Sequence, residues 1–348
     1  MTTKFKSESE RFKAFRNRVP KDVSRIMPFE SFSEEIVKYV ESGGAISGTP
    51  LPWERSRDLF RLRPENMTVW AGYNFDGKSS LLSMISLWMV LKNEKTFLIS
   101  PEMKPAMLGS RLARQAIAVN EPSARSIRDT MRWIGNRICL YDQQGLVEPE
   151  TAVDLARYAA DVGGYQHIVI DSLTKLGLAG DDYSGQKRLV NELHTIALDY
   201  GVHVHLVCHL RKSSDLMRQP SFFDVRGGGE IADQPSNIII VWKNRRKLEK
   251  LEKLKEVKGY EDSEEYNDAI RQPDTQLIIE KQRDNGIIGK FPLWFHPAST
   301  QMISGAKAKP MLTVREAIEN DAKNRREADP SHENIQPGRP AEERIAVH

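Results

Sequence analysis

The chain predicts an α/β fold in which a mostly parallel central sheet is covered by helices on both faces. Three observations lead there. Short, near-continuous apolar runs recur, as at MTVWAG (67–72), HIVID (167–171) and NIIIVW (237–242), and strands buried on both faces read this way. Helical stretches such as 150–162 and 185–200 lie between several of these runs, the arrangement of strand–helix–strand units. The first run also passes through a Gly-containing loop straight into the apolar helical stretch SSLLSMISLWMVL.

Taken in order, residues 1 to about 28 are polar, basic and dotted with Phe, and are expected to form a flexible or weakly helical arm. A short helix is predicted from Ser33 to Ser42, with Glu34 and Glu35 favoured in its first turn and Gly43-Gly44 as its stop. AISGTPLPWE reads as a linker. The regular pattern then begins at MTVWAG and continues with TFLIS (96–100), a helix carrying Leu108, Leu112 and Ile117, and strands RICLYD (137–142), HIVID, VHLVCH (204–209) and NIIIVW. A charged helix with Leu248, Leu251 and Leu254 on one side interrupts it within 243–272, a stretch expected to be a solvated excursion. TQLIIEKQR (275–283) and GKFPLWFH (289–296) predict a closing hairpin, and the charged, Pro-containing residues 301–348 a disordered tail. The implied organisation is an arm and linker helix over 1–50, a core over 51–300 and that tail.

Composition excludes several classes. Lys and Arg number 51 against 48 Asp and Glu, so the net charge of +3 alone signals no nucleic acid. The sign is uneven, however: Lys243 to Lys258 holds eight Lys and Arg against three Glu, and local patches decide what a surface attracts. No apolar run approaches the roughly 18 residues that cross a bilayer, and the N-terminus lacks the apolar stretch of a secretion signal. The two cysteines, Cys139 and Cys208, are far apart and without CxxC spacing, which excludes a disulfide framework or a zinc site. A soluble protein of a reducing cytoplasm is expected.

The most specific feature is Gly72-Tyr73-Asn74-Phe75-Asp76-Gly77-Lys78-Ser79, followed by Ser80, a full match to GxxxxGK[ST] lying between a strand and a helix. In that setting loop N–H groups and the helix N-terminus face phosphates, Lys78 adds a cation and Ser79 ligates Mg2+. Asp76 stands out, because a carboxylate beside a phosphate cradle weakens binding unless it points outward. Asp171, ending a strand about a hundred residues downstream, is placed to hold Mg2+ through water. Glu102, ending TFLISPEM, is a candidate general base, although a helix-dipole role explains it equally well. His209 ends another strand, positioned to sense the terminal phosphate, whereas a strand-end His in isolation is more often a plain hydrogen-bonding residue.

Together these four strand ends resemble the RecA-type ATPase core, and the details resemble DnaB-like hexameric replicative helicases, in particular the Twinkle and phage primase–helicase branch. LRPENMTVWAGYNFDGKSS, ISPEM, IVIDS, VHLVCHLRK, DVRGGGEIADQPSNIIIVWKN and EKQRDNGIIGKFPLWF carry the resemblance in family order, from about Leu51 to His296. It implies a RecA-like ATPase that binds ATP and Mg2+, forms a ring of six copies and moves on single-stranded DNA. Lys281 and Arg283 match the basic pair that reaches a neighbouring subunit's ATP site, where such a cation stabilises transferred-phosphoryl charge. Arg226, Gly227, Gly228 and Gly229 match a loop that grips DNA backbone, with Lys212 and Arg218 adding charge. The helix at 33–42 resembles the element that docks on an adjacent protomer.

The family resemblance leaves two departures: Asp76, where a small residue is usual, and the long basic insertion 243–272. The N-terminal arm is too short for a primase domain, so a separate primase and polymerase are expected partners, a layout analogous to bacteriophage systems. Two other readings share the core: a RecA-like strand-exchange ATPase, and a nucleotide-binding regulator or loader without turnover.

Overall fold

The computed structural model describes residues 27–41 and 47–328, apart from positions 212, 214, 228, 312 and 313. The first 26 residues of the expected arm, the Gly43-Gly44 stop and the last twenty positions of the expected tail lie outside the described residues. The chain divides into Met1–Ser47 and Gly48–His348. In the first unit, helix α1 (Ser33–Glu41) follows a 3-10 turn at Phe29–Phe32 and places Glu34 and Glu35 in its first turn. None of its residues is buried, and Ile36, Val37 and Val40 are all exposed.

The second unit opens with a correction. The segment read as a linker pairs β1 (Thr49–Pro50) antiparallel with β2 (Arg61–Leu62). Leu51 and Trp53 are fully buried, and the Trp53 indole donates to the Met302 carbonyl at 2.8 Å. A segment rich in Gly and Pro thus packs as core because its two large apolar side chains have somewhere to go.

A nine-stranded sheet follows. Its parallel strands are β3 (Met67–Gly72), β4 (Thr96–Ile99), β5 (Ile138–Tyr141), β6 (His167–Ile170), β7 (His203–His209) and β8 (Asn237–Lys243). Strands β9 (Thr275–Gln282), β10 (Gly289–His296) and β11 (Gln301–Ile303) extend it antiparallel, in the spatial order β11-β10-β9-β8-β3-β7-β6-β4-β5. β3 therefore lies between β7 and β8 and is buried along its whole length. Its side chains alternate between two cores, as a pleated strand requires. Val69 and Ala71 face one with helices α5 (Pro149–Asp161) and α6 (Tyr183–Tyr200), while Trp70 faces the other with α2 (Lys78–Leu91), α3 (Pro105–Ile117) and α4 (Ala124–Ile134).

Two expectations change further along. Helices α8 (Arg245–Leu254) and α9 (Glu264–Arg271) form the insertion, after the short helix α7 (Gly229–Asp233). Most of α8 is exposed, but its root is not: Lys247 is buried and pairs with Asp274 at 2.7 Å. Beyond the hairpin the chain remains structured, through β11 and α10 (Arg315–Ala328), with Val314 and Ile318 buried in the second core. The charged composition of the tail hides these few apolar anchors.

Three histidines are buried at the starts of β6 and β7, in a network whose proton positions follow from one fixed donor. The Trp70 indole can only donate, so His205 Nδ1 accepts at 3.1 Å and its Nε2 donates to His167 Nδ1. His167 Nε2 then donates to Glu94, which also accepts from Thr49. His203 donates through Nδ1 to the Arg63 carbonyl and accepts at Nε2 from Thr68. Burial pushes His203 down to about 3 and His205 well below the usual imidazole range, so both are neutral.

Candidate nucleotide site

The C-terminal ends of the parallel strands gather the expected residues at one edge of the sheet. β3 and β7 are paired so that Gly72 lies opposite His209, and Ile99 of β4 lies opposite Ile170 of β6. Glu102 and Asp171, just beyond those strands, therefore emerge on the side of the glycine loop. Gly72 has no alternative: a Cβ there would lie 2.6 Å from the Val241 carbonyl oxygen. Gly77 adopts φ +93 as the N-cap of α2, a conformation favouring glycine. No side chain caps this helix, so its first N–H groups face the loop and favour an anion.

Lys78 is buried, and its ammonium donates to the carbonyls of Gly72 and Tyr73, each at 2.8 Å. Burial lowers its pKa, against the opposing pull of Asp76, Asp171, Cys208 and Glu102. Ser79 hydrogen-bonds Asp171, whose pKa is raised chiefly by burial and further by Glu102. Ser80 is braced by Gln115, which donates to its carbonyl at 2.9 Å. Tyr73 is buried, whereas Phe75 at the tip is 93% exposed and takes φ 66, in the left-handed region. Asn74 beside it is exposed.

Asp76 does not point outward. Its side chain is fully buried, accepting from the Tyr73 N–H at 3.0 Å and from Arg245 at 2.6 Å. Burial raises its pKa, while Arg245, the Tyr73 N–H and Lys78 pull it down. The charge feared from the sequence is thus matched by a guanidinium 169 residues away.

Three contributors escaped sequence reasoning. Ser172 donates to Glu102 at 2.8 Å and approaches His209 Nε2 at 3.5 Å, bridging two predicted site residues. Arg111 on α3 interacts electrostatically with Asp171, and its buried Nη1 has no hydrogen-bond partner among the described residues. Arg245 is the third. A serine after a strand or an arginine in a charged helix gives no distinguishing signal, although IVIDS did place Ser172 next to Asp171.

His209 connects this edge to the glycine-rich loop. Its pKa is lowered by burial and by Lys78, with Glu102 opposing and Arg226 adding to the fall. Leu210 and Val225 form an antiparallel bridge, and the Arg226 N–H donates to the His209 carbonyl at 2.9 Å. Arg226 itself is exposed and lines, with His209 and Gln186, a cavity of about 100 Å³. Gly227 is buried at φ +101, where a Cβ would meet Ile231 Cδ1 at 2.0 Å; Gly229 opens α7. Lys212 and Gly228 lie outside the described residues, and Arg218 pairs with Asp224 at 2.6 Å.

Lys281 and Arg283 are not brought to the loop of their own chain. Lys281 lies opposite Ile238, which lies opposite Val69, three residues before Gly72; at about 3.3 Å per residue that is roughly 10 Å short of the loop and two strands across. Both cations instead grip the end of α7: Lys281 donates to the carbonyls of Ala232 and Asp233, and Arg283 to that of Asp233.

A metal at Ser79 and Asp171 would meet only oxygen donors, a hydroxyl and a carboxylate, which suits Mg2+. Among the described residues no group of three or more His, Cys, Asp and Glu could hold an ion, so substrate and water would have to complete the shell. No helix among them is long and apolar enough to cross a membrane.

Comparison with known proteins agrees with this geometry. A family model described as an AAA domain matches residues 54–215. A solved structure of a helicase's ATPase domain is similar at a TM-score of 0.63 and 18% identity, over 80% of this chain and 98% of that one. A DnaB-like replicative helicase, solved in a study of its interactions with primase, is similar at a TM-score of 0.61 and 18% identity, over 85% of this chain and 70% of that one. The chain has the RecA-like fold of a helicase-type ATPase domain.

Proposed function

We propose that the chain is an ATP-hydrolysing, DnaB-like DNA helicase subunit that assembles with copies of itself into a ring, most simply of six, and moves along single-stranded DNA. One observation supports this most: the continuous path from Glu102 through Ser172 and His209 to the bridge that anchors Arg226 and the glycine loop. A path of this kind joins a hydrolytic centre to a backbone-gripping loop.

In this reading Lys78 turns from the loop carbonyls to the phosphates, and the first N–H groups of α2 face the same oxygens. Bound Mg2+, held by Ser79 and by Asp171, would neutralise phosphate charge. Glu102 takes the proton of the attacking water, and Ser172 fixes the carboxylate's direction. His209 reports the phosphate's presence to Arg226. Lys281 and Arg283 serve the next copy's site, since they lie at the far side of their own sheet, and α1 docks its exposed apolar face on a neighbour. A separate primase is the natural companion, as is a polymerase, and a cytoplasmic setting suits all of these.

The test is hydrolysis and strand separation by the purified chain. ATPase activity that rises with single-stranded DNA, together with ATP-dependent opening of a forked duplex, is expected. Stimulated hydrolysis without strand opening would favour a strand-exchange ATPase instead, and nucleotide binding without turnover would leave a regulator.

A further inference from the structure

The two departures from the family pattern meet in space. Asp76 stands in the glycine loop and Arg245 opens the insertion, and their side chains form a 2.6 Å ion pair with Asp76 fully buried. The Arg245 guanidinium also lies 5.2 Å from the centre of the Tyr73 ring, so it touches the loop at two places. Its own base is rigid. Asn244 caps α8 by accepting from the Lys247 N–H and donates to the Pro273 carbonyl, while Lys247 bonds both Asp274 and the Gln272 carbonyl. The two ends of the insertion are thereby tied together, and Arg245 projects from a fixed point.

We infer that Arg245 is a positioning residue for nucleotide binding: it neutralises Asp76 and holds the glycine loop in its binding shape, making the insertion a structural partner of the nucleotide site. This rests on the nucleotide-site reading above and adds to it. A carboxylate buried beside a phosphate cradle repels phosphate unless a cation cancels it. Lys78 faces Asp76 as well, but that ammonium is the group required by the phosphates. Arg245 leaves Lys78 free for them. Asp76 in turn holds the Tyr73 N–H, so the pair sets the loop's backbone and not its charge alone.

The experiment is a double-mutant cycle read by affinity for a fluorescent ATP analogue with Mg2+. Arg245→Gln is expected to bind about tenfold more weakly or worse, as a buried carboxylate loses its partner. Asp76→Asn combined with Arg245→Gln keeps an acceptor for Tyr73 while removing the charge, and is expected to return to within about threefold of wild type. In steady state the single variant should raise KM with kcat little changed. An Arg245→Gln protein that binds as wild type does overturns the inference. So does a double variant as weak as the single one, since Asp76 would then not be the cause. A wild-type chain that binds no analogue overturns the nucleotide-site reading itself, a result distinct from either.

Discussion

Ser172 donates its hydroxyl to Glu102 Oε1 at 2.8 Å, and the same oxygen is 3.5 Å from His209 Nε2. A carboxylate acting on water must present one oxygen in a fixed direction, and this bond supplies it. Ser172→Ala is expected to lower kcat about three- to tenfold with KM nearly unchanged, because the loss concerns orientation in the transition state. Glu102→Gln, which removes the base itself, should cost roughly 10²–10⁴ in kcat while retaining nucleotide affinity. Steady-state ATPase assays on both variants, with binding measured separately, check the ordering.

The position of Arg283 predicts shared sites. Arg283→Ala mixed with wild type at fixed total protein should reduce ATPase activity more steeply than dilution, since each defective copy disables a neighbour. A linear fall across the titration would show that Arg283 acts within its own chain or not at all.

Gly227 predicts a backbone requirement in the proposed DNA loop. At φ +101, with Ile231 Cδ1 2.0 Å from where a Cβ would be, Gly227→Ala must displace the start of α7. Affinity for a labelled oligonucleotide is expected to fall about tenfold, with strain of order 1–3 kcal/mol at such a position. Hydrogen exchange across 225–231 should speed up, and fluorescence anisotropy reports the binding. Unchanged anisotropy would remove this loop from the DNA contact.

The buried histidines predict acid sensitivity. His203 at about 3 and His205 well below 6.5 remain neutral when folded, yet take up protons near 6.5 once the chain unfolds. Below that pH the unfolded state therefore binds more protons, and stability falls as pH drops. Two such groups give a slope of about 2.7 kcal/mol per pH unit between roughly pH 6 and pH 4. His194 and His209, whose pKa values are also lowered, add in the same direction. Urea titrations from pH 7.5 to 5 measure the slope, and a flat profile would contradict the network.

Much of this architecture is written in short-range patterns. Doubly buried strands such as β6 and β8 announce themselves as apolar runs, and a glycine loop between strand and helix fixes where Lys78 and Ser79 go. Asp171 and His209 follow because parallel strands end at one edge. What escapes is long-range pairing. Nothing local marks Arg245 as the partner of Asp76, and its charged helix reads as solvent-facing. Trp53 is hidden among Gly and Pro, and α4 among charges, with Trp133 and Ile134 its buried anchors. Val314 is hidden in the same way by the charged residues around it.

Lys281 and Arg283 hold the last carbonyls of a helix whose first residue is Gly229. A cation engaged with a neighbour's phosphate cannot keep those carbonyls at the same moment. If the pair serves two masters, fuel arriving in one copy must slacken the grip of the copy beside it, and the handover of the strand from hand to hand is already present as a competition between two sets of oxygens for one pair of side chains.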